Sequence, residues 1–420
     1  MSKLNVLVLD SGGIYCETAV RFARDCASVK YCTYSDAELA GKIGMGLDGV
    51  ERVDSPWGHV DNVDFIFCPD TNSGETVEFL KKHGYACAGA GSAEKIEVDR
   101  WWARQEVQKK NGLPIQATVW AKGVTALRDV CQHPEKYFEG GVKEFFVKVD
   151  NGYRGFSESF KHIDFQSSNQ RIKLIDHKTG PYSEQIEFIC EEKLEGLEPG
   201  FDGIVYDGDI LYPTMAGYEI GKKSHIERVY KTEAELPDVY KRIHEGLRPE
   251  FEKRKTRFFY SDEMIVDKHG VPYLLDPTMR MASPGGISLQ TELIDNFTEV
   301  CYGLACGEPV NPIMKFKYAI ASPLVTSEAE KGFVQIVFPK ELRQWVKLTQ
   351  ACKVGPDYFS VPPEPIVATV VALGNTVKET IALCQERIKE VKGNGLEMDD
   401  HGLMKAEEII AEGRKAGIDF

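Results

Sequence analysis

The chain lacks the features that mark several large protein classes. No apolar run approaches the roughly 18 residues of a membrane span, so no membrane helix is expected. Eleven cysteines are scattered without CxxC pairs or histidine partners, which sets aside a zinc site and a disulfide framework. Buried thiols in a reducing, cytoplasmic setting account for them. The nine histidines show no metal-ligand spacing and fall into no Ser/His/Asp order. GxxxxGK[ST] is absent, so this is not a P-loop enzyme. GxGxxG does occur, at Gly44, Gly46 and Gly49, but no strand precedes it and no helix opens after it. It reads as a loop rather than a dinucleotide fingerprint. Positive charge is in deficit, 51 Lys and Arg against 65 Asp and Glu, for a net charge of −14. That balance argues against bulk nucleic-acid binding and against a membrane surface. It leaves room for a nucleotide held by a few local cations. The opening MSKLNVLVLDSGG has too short an apolar run for a signal peptide, and no internal repeat or low-complexity segment appears.

What is present is an ordinary globular composition, 42% hydrophobic and 28% charged over 420 residues, enough for two to four domains. Residues 1–92 alternate short β runs (LNVLVL, VKYCTY, VDFIFCPD, weakly YACAGAG) with helical patterns (YCETAVRFARDC, ETVEFLKKHG). That alternation predicts a small parallel α/β domain whose ligands would lie near Asp10–Gly13 and Pro69–Gly74. Residues 93–314 open on one long helix over Ala93–Gly112, stopped by Gly112 and Pro114, and continue as strands in series with few helices. An antiparallel sheet is expected there, then a helical pair over about residues 286–306. Residues 315–420 read as a small α+β module ending in two helices.

Chemistry concentrates in YSDEMIVDKHGVPYLLDPTMR, from Tyr260 to Arg280. Two strands joined at Lys-His-Gly would fold back on each other and bring Glu263 and Asp276 together. With the Thr278 oxygen they form a hard, oxygen-only set of the kind Mg²⁺ takes when it also holds phosphates. Arg280 follows as a fixed cation. An exposed hairpin with a salt bridge is the plainer reading of the same residues. In EFFVKVDNGYRGFS, residues 144–157, Lys148 interrupts an otherwise apolar β run. Burying an ammonium is costly unless an anion pairs with it, and a phosphate would serve. Gly152 and Gly155 would let backbone N–H groups approach phosphate oxygens, and Arg154 adds charge. An edge-strand lysine reaching solvent before a flexible turn is the alternative. The segment CEEKLEGLE, residues 190–198, ends a strand with acids and a leucine. It suits an adenine hinge with a carboxylate for the ribose, or a solvated acidic turn.

Taken in order, these pieces resemble the ATP-grasp superfamily, and within it the phosphoribosylamine–glycine ligases, over nearly the whole chain. The small α/β domain opening on VLVLDSGG, the helix ending in NGLP at 111–114 and the C-terminal VATVVALGNTVKETIALCQERIKEV are similar to that family in order and spacing. The resemblance implies an ATP-grasp fold with that N-terminal α/β and that C-terminal α+β domain. It implies an ATP-dependent carboxylate–amine ligase that forms a C–N bond through an acyl phosphate and releases ADP. ATP and Mg²⁺ (or Mn²⁺) would be the cofactors, a small-molecule acid and amine the substrates, and a cytoplasmic monomer or homodimer the working form. By the same resemblance Arg100, in the pair Asp99-Arg100, and Lys148 would hold the nucleotide phosphates beside the loop Asn151–Ser157. Glu191, Glu192 and Leu194 would form the adenine hinge, and Glu198 would bind the ribose. The closing ExNxR becomes Asp276, Thr278 and Arg280, with Glu263 completing the metal set; Arg280, Lys148 and Arg154 would act on the transferred group.

The departures fall on the substrate side. Where the family has a GGREH-like turn, this chain has Gly12, Gly13, Ile14, Tyr15 and Cys16; its GPExPL-like segment is Cys68-Pro69-Asp70-Thr71-Asn72-Ser73. After Arg280 comes Met281-Ala-Ser-Pro-Gly-Gly in place of a GDPE-type run, and Thr278 replaces the metal-binding asparagine. An ATP-grasp engine with a changed acid and amine is the expectation. Glycinamide ribonucleotide synthesis proper, or an ATP-binding protein that has lost catalysis, are the alternatives.

Overall fold

The computed structural model describes residues 3–35, 38–150, 159–220, 224–398 and 400–420. Val6, Leu7 and Val8 are fully buried on consecutive positions, as a parallel strand covered on both faces requires. Asn5–Asp10 lies at the centre of a five-stranded parallel sheet, between Ser28–Thr33 and Phe65–Phe67, with Glu51–Arg52 and Cys87–Ala88 at the edges. The strand order reverses beside Asn5–Asp10, which puts the crevice beyond Asp10 at the switch point of the sheet.

The helix expected over Ala93–Gly112 is broken. Lys95–Val98 is helical, and Asp99 then leaves helical geometry (φ −103°, ψ 77°) and caps a new turn by accepting from the Trp102 N–H at 3.1 Å. Aspartate competes for nearby backbone donors in this way, which is why it favours helix starts over interiors. Ala103–Lys109 then winds as a π-helix, a geometry found often near functional sites.

This broken segment sits between two antiparallel sheets. The first has the order Thr118–Lys122, Glu187–Glu192, Phe145–Asp150, Ser159–His162, and shares a separate core with the helices Gly123–Gln132 and Phe165–Thr179. The second has nine strands, in the order Pro272–Thr278, Arg257–Val266, Pro199–Tyr206, Thr214–Ile220, Ser224–Tyr230, Tyr318–Val325, Ile366–Gly374, Val346–Leu348, with Asp209–Ile210 paired to Pro199–Tyr206. It therefore continues across residues 314 and 315. Two helices that the pattern did not suggest, Phe165–Thr179 and Asp238–Arg254, interrupt the strands. Phe165–Thr179 buries only Ser168, Ile172 and Ile175, and Asp238–Arg254 carries Pro249 inside it.

The GxGxxG segment is a loop. Gly44 and Gly46 have φ of 86° and 68°, and Gly44 N–H donates to Ala351 O at 2.8 Å while Met45 O accepts from Lys353 N–H at 2.8 Å. A Cβ on Gly46 would lie 2.3 Å from Lys353 O. These glycines dock the N-terminal sheet onto the C-terminal strands. Cys306 is exposed and the other cysteines are buried, all of them free. Among the described residues, no helix is long and apolar enough to cross a membrane.

Candidate active site

The hairpin forms as expected. Asp267 Oδ1 accepts from the N–H groups of His269 (2.8 Å) and Val271 (2.9 Å), and Gly270 takes the positive φ of 76° the turn needs. Glu263 and Asp276 are direct cross-strand partners, and Ser261 faces Thr278 one pleat further on. The register shifts between Glu263 and Met264, a bulge of the kind that re-aims side chains beside sites. Side chains alternate between faces, so Ser261, Glu263, Asp276 and Thr278 share one face of the large sheet.

Lys148 comes from the other antiparallel sheet and crosses to this face. Its Nζ donates to Asp276 Oδ2 at 2.7 Å and lies 3.4 Å from Glu191 Oε2. Arg100 Nε is 3.5 Å from Asp276 Oδ1. Burial pushes the Asp276 carboxyl up, but Lys148, then Arg100 and Arg104, outweigh it and hold it below the usual carboxylate range. Arg100 is placed by Asp150, whose carboxylate accepts from the N–H groups of Arg100 (2.6 Å) and Trp101 (3.2 Å). The break at Asp99 thus presents fresh backbone donors to Asp150, next to Lys148 on its strand.

Glu191 is buried, and its carboxylate accepts from Arg104 Nε at 2.6 Å and from Gln116 Nε2 at 2.9 Å. A nucleotide would meet Glu191 only through its main chain. The N–H groups of Glu192 and Lys193 donate to Ala117 O (2.9 Å) and Glu144 O (3.1 Å). Leu194 follows as the strand ends, and Glu198 lies further on, against the large sheet. Arg154, Gly152 and Gly155, with the loop Asn151–Ser157, lie outside the described residues.

Arg280 turns away from the carboxylate pair toward the N-terminal sheet. Its Nε donates to Glu97 Oε1 at 2.9 Å and lies 3.6 Å from Asp70 Oδ1, and its NH1 is 3.2 Å from the Tyr15 hydroxyl. Tyr15 in turn donates to Met281 O at 2.7 Å, and Ser11 Oγ donates to Asp70 Oδ2 at 3.1 Å. The switch-point crevice is therefore joined to the hairpin through Arg280, with an acidic lining. The sequence reading had Asp70 only as part of the substrate-side segment 68–73, and it missed Glu97, Arg104 and Asp150. Only Asp150, directly before Asn151 at the end of a Lys-bearing strand, had a local signal.

Among the described residues no three His, Cys, Asp or Glu side chains converge as a self-sufficient metal cage. A divalent cation would depend on Glu263, Asp276 and phosphate oxygens, the donor set Mg²⁺ uses with nucleotides. The residues fit that demand. Water reaches Glu263, yet burial within the cleft, then Asp276 and Glu219, push its carboxyl up to about 7. A bound cation would relieve that repulsion.

Buried carboxyl groups also set the stability profile. Burial and Asp70 push Asp10 up to about 7, and burial pushes Asp202 up to about 6. Glu227 lies well above the usual range, through burial and then Asp202. The folded state binds these protons more tightly than the unfolded chain, so their effect on stability grows as pH falls from 7 toward the usual carboxylate range. Glu292 acts the other way at lower pH. Burial raises it, but Lys347 and Arg24 outweigh that and hold it at about 2. The melting temperature is expected to be higher near pH ~5.5 than near pH ~8, and to fall again below pH ~4. A scanning-fluorimetry series reads this directly, and a steady rise to pH ~8 would contradict the burial assigned to Asp10, Asp202 and Glu227.

No family model and no curated protein sequence matches this chain. Solved structures do. Phosphoribosylamine–glycine ligase from Thermotoga maritima superposes with a TM-score of 0.68 at 16% identity, covering 94% of this chain and 99% of its own. The biotin carboxylase domain of Hydrogenobacter thermophilus 2-oxoglutarate carboxylase, solved with MgADP, ADP and bicarbonate, gives 0.68 at 12% identity, covering 100% and 99%. The L-amino acid ligase from Bacillus licheniformis gives 0.60 at 14% identity, covering 94% and 99%. The chain has the ATP-grasp fold that these ligases and carboxylases share.

Proposed function

We propose that this chain is an ATP-dependent carboxylate–amine ligase working through an acyl phosphate. The observation that carries the proposal is the cluster of Lys148, Arg100 and Asp276 opposite Glu263, at the seam of two antiparallel sheets. Two cations sit on one carboxylate and a second carboxyl is crowded beside it. Such a cluster is poised to exchange partners when phosphates arrive. Lys148 and Arg100 would take the α- and β-phosphates. Glu263 and Asp276, with the Thr278 oxygen, would hold Mg²⁺ or Mn²⁺, which supplies neutralisation of the phosphate charge. A substrate carboxylate would attack the γ-phosphorus as the bond to ADP breaks, and an amine would then displace phosphate from the acyl carbon. Arg280 and Arg154 would act on the transferred group, Gly152 and Gly155 on the phosphates. The main chain of Glu191, Glu192 and Leu194 would read the base, and Glu198 the ribose. The division 1–92, 93–314 and 315–420, a cytoplasmic location and a monomeric or dimeric form belong to the same proposal.

ADP release by the purified protein with Mg·ATP, across single amino acids with and without phosphoribosylamine, tests the reading. ADP that appears only with glycine and phosphoribosylamine together would narrow it to glycinamide ribonucleotide synthesis. ADP with another pair would name a repurposed ligase, and silence with intact nucleotide binding would favour a non-catalytic ATP-binding role. Lys148→Ala is expected to weaken nucleotide binding by about 1–3 kcal/mol, the range for a lost charge-assisted hydrogen bond. Unchanged affinity by calorimetry would remove Lys148 from the phosphate site.

A further inference from the structure

Beyond Glu263 the same face of the large sheet carries a second group of acids. Hydrogen-bonded pairing aligns Glu227, Gly217, Gly200, Glu263 and Asp276 in one row across five strands. The two central glycines leave a floor without side chains. One pleat away from Gly200, about 7 Å along the strand, Asp202 stands on the same face, opposite Ser261, which donates a hydrogen bond to it. Glu227 leans over Gly217 and lies beside Asp202, close enough for the two carboxyls to interact directly. Both are buried, and Glu227 Oε2, fully enclosed, has no hydrogen-bond partner among the described residues.

These residues line a cavity of about 360 Å³ whose wall also includes Glu263, Thr278 and Glu198. Its roof is the segment Ala282–Gly286, which follows Arg280. A Cβ on Gly286 would sit 2.5 Å from Asp202 Oδ1, and one on Gly285 2.6 Å from the His225 ring, so the roof closes on the acids only because it is glycine. Among the described residues that line the cavity there is no Lys or Arg. His225 does not substitute for one, because burial pushes its pKa down to about 4 and leaves it neutral at pH 7.

A pocket that holds an adjacent carboxyl pair, with one enclosed oxygen unpaired and no Lys or Arg in its lining among the described residues, is complementary to a cation that donates hydrogen bonds. We infer that this cavity binds the amine substrate as a primary ammonium ion, with Asp202 and Glu227 as its acceptors and Asp202 as the base that activates it. The inference rests on the ligase reading above and names the amine's chemical class: small, cationic, and without a phosphate on the part that enters the cavity. In the step, one ammonium proton passes to the Asp202 carboxylate and leaves a neutral amine. Its lone pair forms the C–N bond at the acyl carbon, the C–O bond to phosphate breaks, and phosphate leaves with that electron pair. The second nitrogen proton passes to a phosphate oxygen.

The test uses the full chain loaded with Mg·ADP and titrated in a calorimeter. The probes are methylammonium, ethylammonium, glycinamide and alaninamide, with the neutral N-acetylglycinamide and the anion acetate as controls. At least one ammonium probe is expected to bind at least tenfold more tightly than either control. That comparison uses the unmutated protein and so does not depend on a variant folding. Glu227→Gln and Asp202→Asn are each expected to weaken ammonium binding at least tenfold while Mg·ADP affinity stays within twofold. Binding of no ammonium probe, equal binding of the controls, or indifference to both substitutions would overturn the inference. Failure of Mg·ADP itself to bind would instead strike the ligase reading on which it rests.

Discussion

Asp276→Asn is expected to lower ADP formation by roughly 10²–10³-fold, about 3–4 kcal/mol of transition-state stabilisation, while leaving the fold in place. The carboxylate is where every charge of the site meets: Lys148 Nζ at 2.7 Å, Arg100 Nε at 3.5 Å, and Glu263 across the strand pair. Asparagine keeps the shape and removes the charge. Lys148 retains Glu191 at 3.4 Å, and Asp276 is only partly buried, with a third of its side chain accessible, so the structural cost is small. A melting temperature within a few degrees of the parent, together with lost ADP formation, is the expected pair of results. Near wild-type turnover would remove the metal and phosphate role from Asp276. Loss of turnover together with a large drop in melting temperature would make the carboxylate structural.

Local pattern carried the hairpin, the N-terminal sheet and Lys148, because each depends on residues close in sequence. Alternation in SDEMIV and VPYLLD together with the Gly270 turn gives the hairpin, and the bulge between Glu263 and Met264, which the pattern does not record, shifts the register by one and makes Glu263 and Asp276 neighbours. The apolar run around Lys148 required a partner for its charge, and the sheet crossing supplies one 128 residues away. Other features were out of reach for an equally physical reason. The helix break at Asp99 is set by Asp150, which rewards the exposed N–H of Arg100 from 50 residues further on, and nothing in the periodicity of residues 93–112 records that. Arg280 stood in the right motif, yet Glu97, Asp70 and Tyr15 draw it toward the N-terminal sheet, so its surroundings come from three separate stretches of chain. The acids Asp202 and Glu227 look like ordinary strand positions until pairing places Gly200 and Gly217 between the outer carboxyls.

The Arg104–Glu191 pair should show the largest effect on stability. Arg104 and Glu191 are 1% and 3% exposed, with Nε to Oε1 at 2.6 Å and NH2 to Oε2 at 3.3 Å. Arg104 NH2 also donates to the carbonyl of Leu275, the residue beside Asp276 that the bulge leaves without a strand partner. One guanidinium therefore ties the π-helical segment to both antiparallel sheets. Removing it strands a buried carboxylate, and breaking such a pair costs about 3–5 kcal/mol. Gln116 at 2.9 Å and Lys148 at 3.4 Å remain near Glu191, so Arg104→Met is expected at the lower end of that range in urea unfolding. Lys148 would also be drawn further toward Glu191, which predicts weaker nucleotide binding in the same variant. Adding Glu191→Leu removes the stranded charge and should return at least about 1 kcal/mol, an interaction that a double-mutant cycle measures directly. A cost below about 1 kcal/mol for Arg104→Met, or a double variant less stable than the sum of the two singles, would mean that packing rather than charge pairing holds the sheets to the helix.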